Sequence, residues 1–244
     1  MHPEICRIGP FAIYSYGLML ATAFIVSSFL ASRRAESAGI PPETILNLSF
    51  VVFVFGIAGA RLLYVVQNIK GYVQNPAEIL MLQHGGLSLF GGLILGSIAG
   101  IIYMKRKKLS AYKALDVLAP YIALGQAIGR IGCLLNGCCY GKPAVWGIWF
   151  PAHQAVLVPT QIYSSLPLLG IFMILRVLQD RPHIVEGEIF FTYLLLYSLK
   201  RFFIEFWRGD TIAVIPGLTL FQVFSIALFL LAVIQLVRFK HPTS

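Results

Sequence analysis

The sequence predicts an all-α integral membrane protein of about seven transmembrane helices, with the N-terminus outside and the C-terminus in the cytoplasm. Three observations carry this fold class. The chain is 58% hydrophobic and 12% charged over 244 residues, which is more apolar surface than a soluble domain of ordinary composition carries. Its apolar runs reach about 20 residues, enough to cross a hydrocarbon core of roughly 30 Å. No stretch shows the alternation over about ten residues that marks a membrane barrel strand.

In chain order the candidate spans are Phe11–Ser32, Thr44–Asn68, Gly86–Met104, Tyr112–Leu135, Thr160–Leu178, Gly187–Trp207 and Leu218–Val237. They are expected to form one polytopic domain over residues 1–244, with a short outward-facing loop at about 137–159. The opening MHPEICRIGP lacks the basic start of a secretory signal, so the first run is expected to stay as a helix.

Charge distribution sets the orientation. With the N-terminus outside, cytoplasmic segments hold Arg33, Arg34, Lys105, Arg106, Lys107, Lys108, Lys113, Arg176, Arg181, Arg238 and Lys240, against Arg7, Lys70, Lys142 and Arg208 outside. The net charge of +9 is therefore a topology signal and argues against nucleic acid as a partner. The block at 105–108 reads as a retention charge facing anionic headgroups. Asp116 reads as a helix-start residue near the cytoplasmic end of its span, and His153 as a loop residue.

The remaining basic residues are the informative ones. Arg61, Arg130, Lys200 and Arg201 lie inside apolar runs or at their outer ends. An ionisable residue at such depth marks a functional site by default. Alternating topology brings Arg61, Arg130, Arg201, Glu205 and Arg208 to the outer half of the bilayer, level with Tyr14, Ser15 and Tyr16 of the first span and with residues 84–92 of the third. Arg201 and Glu205 are four apart, and Arg208 follows three later, so the three share a helix face. One carboxylate cannot neutralise Arg61, Arg130 and Arg201 together, so an anion is expected. A guanidinium fork suits a phosphate, and a phospholipid headgroup is the phosphate at that depth. The glycines of GGLSLFGGL, including Gly91 and Gly92, fit either a close ligand approach or close packing of two helices.

Cys6, Cys133, Cys138 and Cys139 fall on the outer side, where disulfides are permitted. No second CxxC or HxxxH accompanies them, so no metal is expected.

Six segments, YGLM (16–19), GARLLY (59–64), GGLSLFGGL (85–93), GRIGCLLNGCCYG (129–141), PTQIY (159–163) and RFFIEFWR (201–208), together resemble the prolipoprotein diacylglyceryl transferase family over nearly the whole chain. The resemblance implies a multi-pass enzyme of the bacterial cytoplasmic (inner) membrane whose active site faces the outer leaflet. It implies transfer of the diacylglyceryl group of phosphatidylglycerol to the lipobox cysteine of a preprolipoprotein, forming a thioether and releasing glycerol phosphate, without metal or organic cofactor. Carried over by position, Arg130, Arg201, Tyr16 and Glu205 are the expected catalytic residues. Arg130, Arg61, Asn136, Arg208, His84, Gly91 and Gly92 are expected to bind substrate. The chain departs from the pattern at Phe90, where many members have histidine, and at Cys133 and Cys138, where asparagine and glutamate are usual. Phe90 cannot serve as a base, which leaves His84, Tyr16, Glu205 or a water for the thiol proton. These departures also keep open a paralogue acting on another acceptor. A lipid-binding membrane protein without chemistry is the other alternative.

Overall fold

In this computed structural model, residues 3–8, 11–73, 75–81, 85–209, 213–215 and 217–240 are described. Hydropathy is realised as helix. α1 (Ser15–Ala35), α2 (Pro42–Gln67), α4 (Leu89–Arg106), α5 (Ala111–Asn136), α6 (Thr160–Gln179) and α8 (Leu220–Lys240) are long and apolar, with the four-residue α3 (Ile69–Tyr72) after α2. These six long helices are the described ones with the length and composition to cross a membrane. The expected sixth span becomes α7 (Glu188–Ile204), 17 residues long, continued by a 3-10 turn over Glu205–Trp207.

The all-helical expectation needs correction at the helix ends. Phe11–Tyr14, assigned to the first span, is strand β2, paired antiparallel with β1 (Glu4–Ile8). Ser15 then starts α1 and ties its amide to the Pro3 carbonyl at 2.9 Å. The loop at 137–159 holds the hairpin β3 (Pro143–Phe150) and β4 (Ala155–Leu157). Leu218–Thr219, assigned to the seventh span, is β6, paired with β5 (Ala213–Ile215).

The chain forms two compact units, residues 1–31 with 115–244, and residues 32–114. In the first, α5 presents Ala119, Ala123 and Ala127, one every four residues on a single face. Against them pack Leu168, Ile171 and Leu175 of α6 and Ile189 and Tyr193 of α7. Small residues on one face let neighbouring helices approach closely. Pro120 cannot donate to the Asp116 carbonyl four residues back, and Gln179 Nε2 donates to that carbonyl instead at 2.7 Å. Asp116 itself does more than begin its own helix. Its carboxylate accepts from the backbone amides of Gly187 and Phe190 and so caps the N-terminus of α7. α8 buries Gln222, Ser225 and Ala232 while Phe224, Leu230 and Ile234 stay exposed. That inversion of a soluble helix suits a lipid-facing surface, and the chain is a multi-pass membrane protein.

In the second unit α2 and α4 meet along a glycine seam. A Cβ on Gly91 would collide with the Gly59 carbonyl, and one on Gly59 with the Gly91 carbonyl. Gly92 lies less tightly against the Gly56 carbonyl, and Gly96 against the Val52 carbonyl and Gly56. The Ser88 amide also donates to the Ala60 carbonyl at 2.9 Å, joining the start of α4 to α2.

Candidate functional site

In the first unit, backbone pairing joins the end of α5 to the end of α7. The Lys142 amide donates to the Trp207 carbonyl at 2.8 Å, and Gly209 donates to Tyr140 at 3.3 Å. Gly141 lies beside Arg208 in an isolated antiparallel bridge, and the Trp207 carbonyl occupies the space a Cβ at 141 would need. These contacts join the segments GRIGCLLNGCCYG and RFFIEFWR.

Arg201 and Glu205 are buried, and Arg201 Nη2 lies 3.0 Å from Glu205 Oε2. The approach is off the hydrogen-bond direction, so no N–H meets Oε2. Glu205 Oε1 accepts from Thr219 Oγ1 at 3.0 Å. Thr219 is the N-cap of α8. Its amide donates to Gln222 Oε1 at 2.9 Å, and the Gln222 amide donates back to Thr219 Oγ1 at 3.3 Å, a reciprocal capping box. The carboxylate is thereby fixed at the positive end of a helix dipole. The Arg201 guanidinium also stacks on Phe221, 4.3 Å from the ring centre.

Around this pair the charges do not balance. Lys200 is buried and lies within electrostatic reach of Arg130, Arg201 and Arg208. Its ammonium sits over the Tyr197 ring at 4.8 Å. Arg130, half-buried in the last two turns of α5, makes no hydrogen bond or ion pair among the described residues. Among the described residues Arg130, Lys200 and Arg201 therefore share one carboxylate that is already engaged. Beside Lys200 a cavity of about 630 Å³ opens between α6 and α7, lined by Tyr163, Leu166, Phe203 and Trp207. A cation at the rim of a mostly apolar cavity suits an amphiphile with an anionic head.

Tyr16, in the first turn of α1, packs where a Cβ on Gly132 would meet it at 3.5 Å. It lies within electrostatic reach of Arg130, Cys133, Cys138 and Cys139. Asn136 ends α5 and hydrogen-bonds the Cys138 thiol. Tyr16, Arg130, Asn136, Arg201, Glu205 and Arg208 all lie in the first unit.

Arg61, in the second unit, is a different case. Its Nε donates to the Ile79 carbonyl at 2.9 Å. Nη1 donates to Gly85 at 2.5 Å and Gly86 at 3.1 Å, and Nη2 to Glu78 and to Met81 at 3.2 Å. All five donors of a guanidinium are used on the chain's own backbone, with Tyr72 beneath the charge at 5.3 Å. Gly91 and Gly92 are in the helix seam, which is the packing alternative of the two open for them. His84 lies outside the described residues.

Sequence reasoning missed two polar residues. Thr160 Oγ1 donates to the Cys139 carbonyl and Gln161 Nε2 to the Cys138 carbonyl, each at 2.6 Å. Both are buried, and their signal was the polar pair after Pro159 at a helix start. The spacing of the cysteines also did not announce that Cys133, Cys138 and Cys139 converge, with their sulfurs within 4.8 Å of one another. Hydrogen bonds from the other two thiols, helped by Arg130 and Arg208, hold the Cys139 thiol well below the usual thiol range.

Residues 3–238 match the family model for prolipoprotein diacylglyceryl transferase. A phosphatidylglycerol--prolipoprotein diacylglyceryl transferase of Bacillus cereus (strain 03BB102) is 36% identical, covering 95% of this chain and 89% of the relative. The proteins of that name from Bacillus thuringiensis subsp. konkukian (strain 97-27) and Bacillus anthracis (strain CDC 684 / NRRL 3495) are 36% and 35% identical over the same shares.

Proposed function

The chain belongs to the prolipoprotein diacylglyceryl transferase family, and we propose that it moves the diacylglyceryl group of phosphatidylglycerol onto the lipobox cysteine of a preprolipoprotein. The observation that carries this is the group Arg130, Lys200 and Arg201, for which Glu205 is the one carboxylate nearby among the described residues, already engaged by Thr219. Such a set holds a phosphate and leaves room for more negative charge on it.

The acceptor thiol attacks a glycerol carbon of the lipid. A C–S bond forms, the C–O bond to the phosphate breaks, and glycerol phosphate leaves with the electron pair. Charge develops on the departing phosphate, where preorganised guanidinium groups lower the barrier most. Arg130, whose donors no group among the described residues uses, binds the phosphate directly, and Arg201 reinforces it from the ion pair. The cavity beside Lys200 takes the apolar part of the lipid. Glu205, the carboxylate paired with Arg201, is the group that receives the thiol proton. Arg61 acts as a clamp on the 78–86 segment, and Gly91 and Gly92 as packing residues.

The placement follows from charge and length. α7 with its 3-10 continuation makes the seventh span, the N-terminus lies outside, and the site faces the outer leaflet of a bacterial cytoplasmic membrane. Purified protein in vesicles of labelled phosphatidylglycerol is expected to lipidate a lipobox peptide and to release one glycerol phosphate per peptide. Vesicles of phosphatidylcholine are expected to give no product. A protein that binds phosphatidylglycerol and leaves the lipobox peptide unmodified would contradict the assignment and favour another acceptor.

A further inference from the structure

The three cysteines at the end of α5 are brought together by backbone geometry. The Gly137 amide donates to the Leu134 carbonyl and the Cys138 amide to the Cys133 carbonyl, both at 3.1 Å, with Gly137 at φ +76°. This is a Schellman turn, in which the side chain just past the turn meets one from the last helical turn. Here both are cysteines. Cys139 follows at φ +62°, a left-handed conformation that a residue with a Cβ adopts at a cost. Its thiol joins the other two, and the three sulfurs lie within 4.8 Å of one another as free thiols.

The turn is held from outside as well. Three consecutive carbonyls, those of Gly137, Cys138 and Cys139, pair with His153 Nε2 at 3.1 Å, Gln161 Nε2 at 2.6 Å and Thr160 Oγ1 at 2.6 Å. Such outer partners fix ligand orientation in metal sites. A tetrahedral ion with sulfur bonds of about 2.3 Å sets its sulfurs roughly 3.8 Å apart, so the trio closes on an ion with shifts that side-chain rotation supplies.

We propose that Cys133, Cys138 and Cys139 form a binding site for one thiophilic d10 metal ion, Zn²⁺ or Cu⁺, which locks the turn at the end of α5 that Thr160 and Gln161 of α6 hold from outside. Three S–H groups lose their protons to solvent, three S–metal bonds form, and no electron is transferred. Three thiolates outweigh the charge of either ion, and the excess negative charge faces Arg130 and Arg208, which lie within electrostatic reach of Cys139. Soft thiolate ligands select these ions over harder ones. The inference does not depend on the transfer reaction, and its test does not measure transfer.

The test uses the full chain in detergent, reduced, stripped with chelator and kept anaerobic, then titrated separately with Zn²⁺ and Cu⁺. The expected result is one ion per chain, three thiols protected from a thiol reagent while Cys6 still reacts, and a raised thermal unfolding midpoint. Cys133→Ser, Cys138→Ser and Cys139→Ser are each expected to weaken binding at least ~10-fold, and Cys6→Ser to leave it unchanged. X-ray absorption on the loaded wild-type protein, which needs no variant to fold, is expected to show three sulfurs at about 2.3 Å. Failure of both ions to bind stoichiometrically, binding unaffected by the serine variants, or a disulfide within the trio in the isolated protein overturns the proposal.

Discussion

Arg61 and Arg130 are both arginines late in long apolar helices, and their surroundings are opposite. Arg61 is buried with all five donors on carbonyls of residues 78–86. Arg130 is half-buried, uses no donor on the protein among the described residues, and lies with Lys200 and Arg201 near the one described carboxylate there, that of Glu205. The difference teaches that depth alone does not make a buried arginine a ligand site. A guanidinium saturated by backbone carbonyls is a structural clamp, because binding a phosphate would strip hydrogen bonds from groups that cannot find others. A guanidinium left over in a cationic group needs an anion.

The comparison can be broken at several points. Arg201→Ala removes a cation and leaves Glu205 buried without its charge partner. Transfer to a lipobox peptide is expected to fall by about 10²–10³-fold, measured as kcat/KM on protein that still elutes as a single species. Next in size, Arg61→Lys replaces five fixed donors with three that point elsewhere. It is expected to destabilise the second unit by ~2–4 kcal/mol, seen as lower thermal unfolding and faster proteolysis at residues 78–86, with the KM for phosphatidylglycerol unchanged. A raised KM with normal stability would return Arg61 to the lipid-binding set.

Gly91→Ala is expected to cost ~1–3 kcal/mol by pushing α4 off the Gly59 carbonyl, again without a change in KM. The smallest effect is expected for Thr219→Val. It breaks the capping box and the bond to Glu205, with a loss of ~1 kcal/mol in thermal unfolding. A collapse of activity at unchanged stability would show that Thr219 tunes Glu205 in the reaction itself.

What could be read from the sequence divides along physical lines. The long helices were readable because hydropathy over about 20 residues is a local signal, and their ends fall within a few residues of the expected ones. β2 and β6 were not, because four and two residues of apolar strand look the same as the first turn of an adjoining span. The grouping of Tyr16, Arg130, Arg201, Glu205 and Arg208 was readable from topology and motif together. The backbone bonds of Arg61 were not, since carbonyl partners leave no mark in side-chain identity. The convergence of Cys133 and Cys138 had a sign in the Asn136-Gly137 dipeptide at a helix end, which is a C-cap signature. Cys139 had none, because its left-handed backbone is not signalled by a glycine or asparagine and its carbonyl partner, Thr160, is 21 residues away.

The claim that surplus cations hold the lipid phosphate is tested most directly at Arg130. Lipid transfer from phosphatidylglycerol vesicles, with and without added glycerol phosphate, should be measured for the wild-type protein and for Arg130→Ala. The expected result is transfer inhibited by glycerol phosphate in the wild type. In the variant, transfer is expected to be about 10²–10³-fold slower and no longer inhibited, at an unchanged unfolding temperature. Wild-type rates and undiminished inhibition in Arg130→Ala would contradict it.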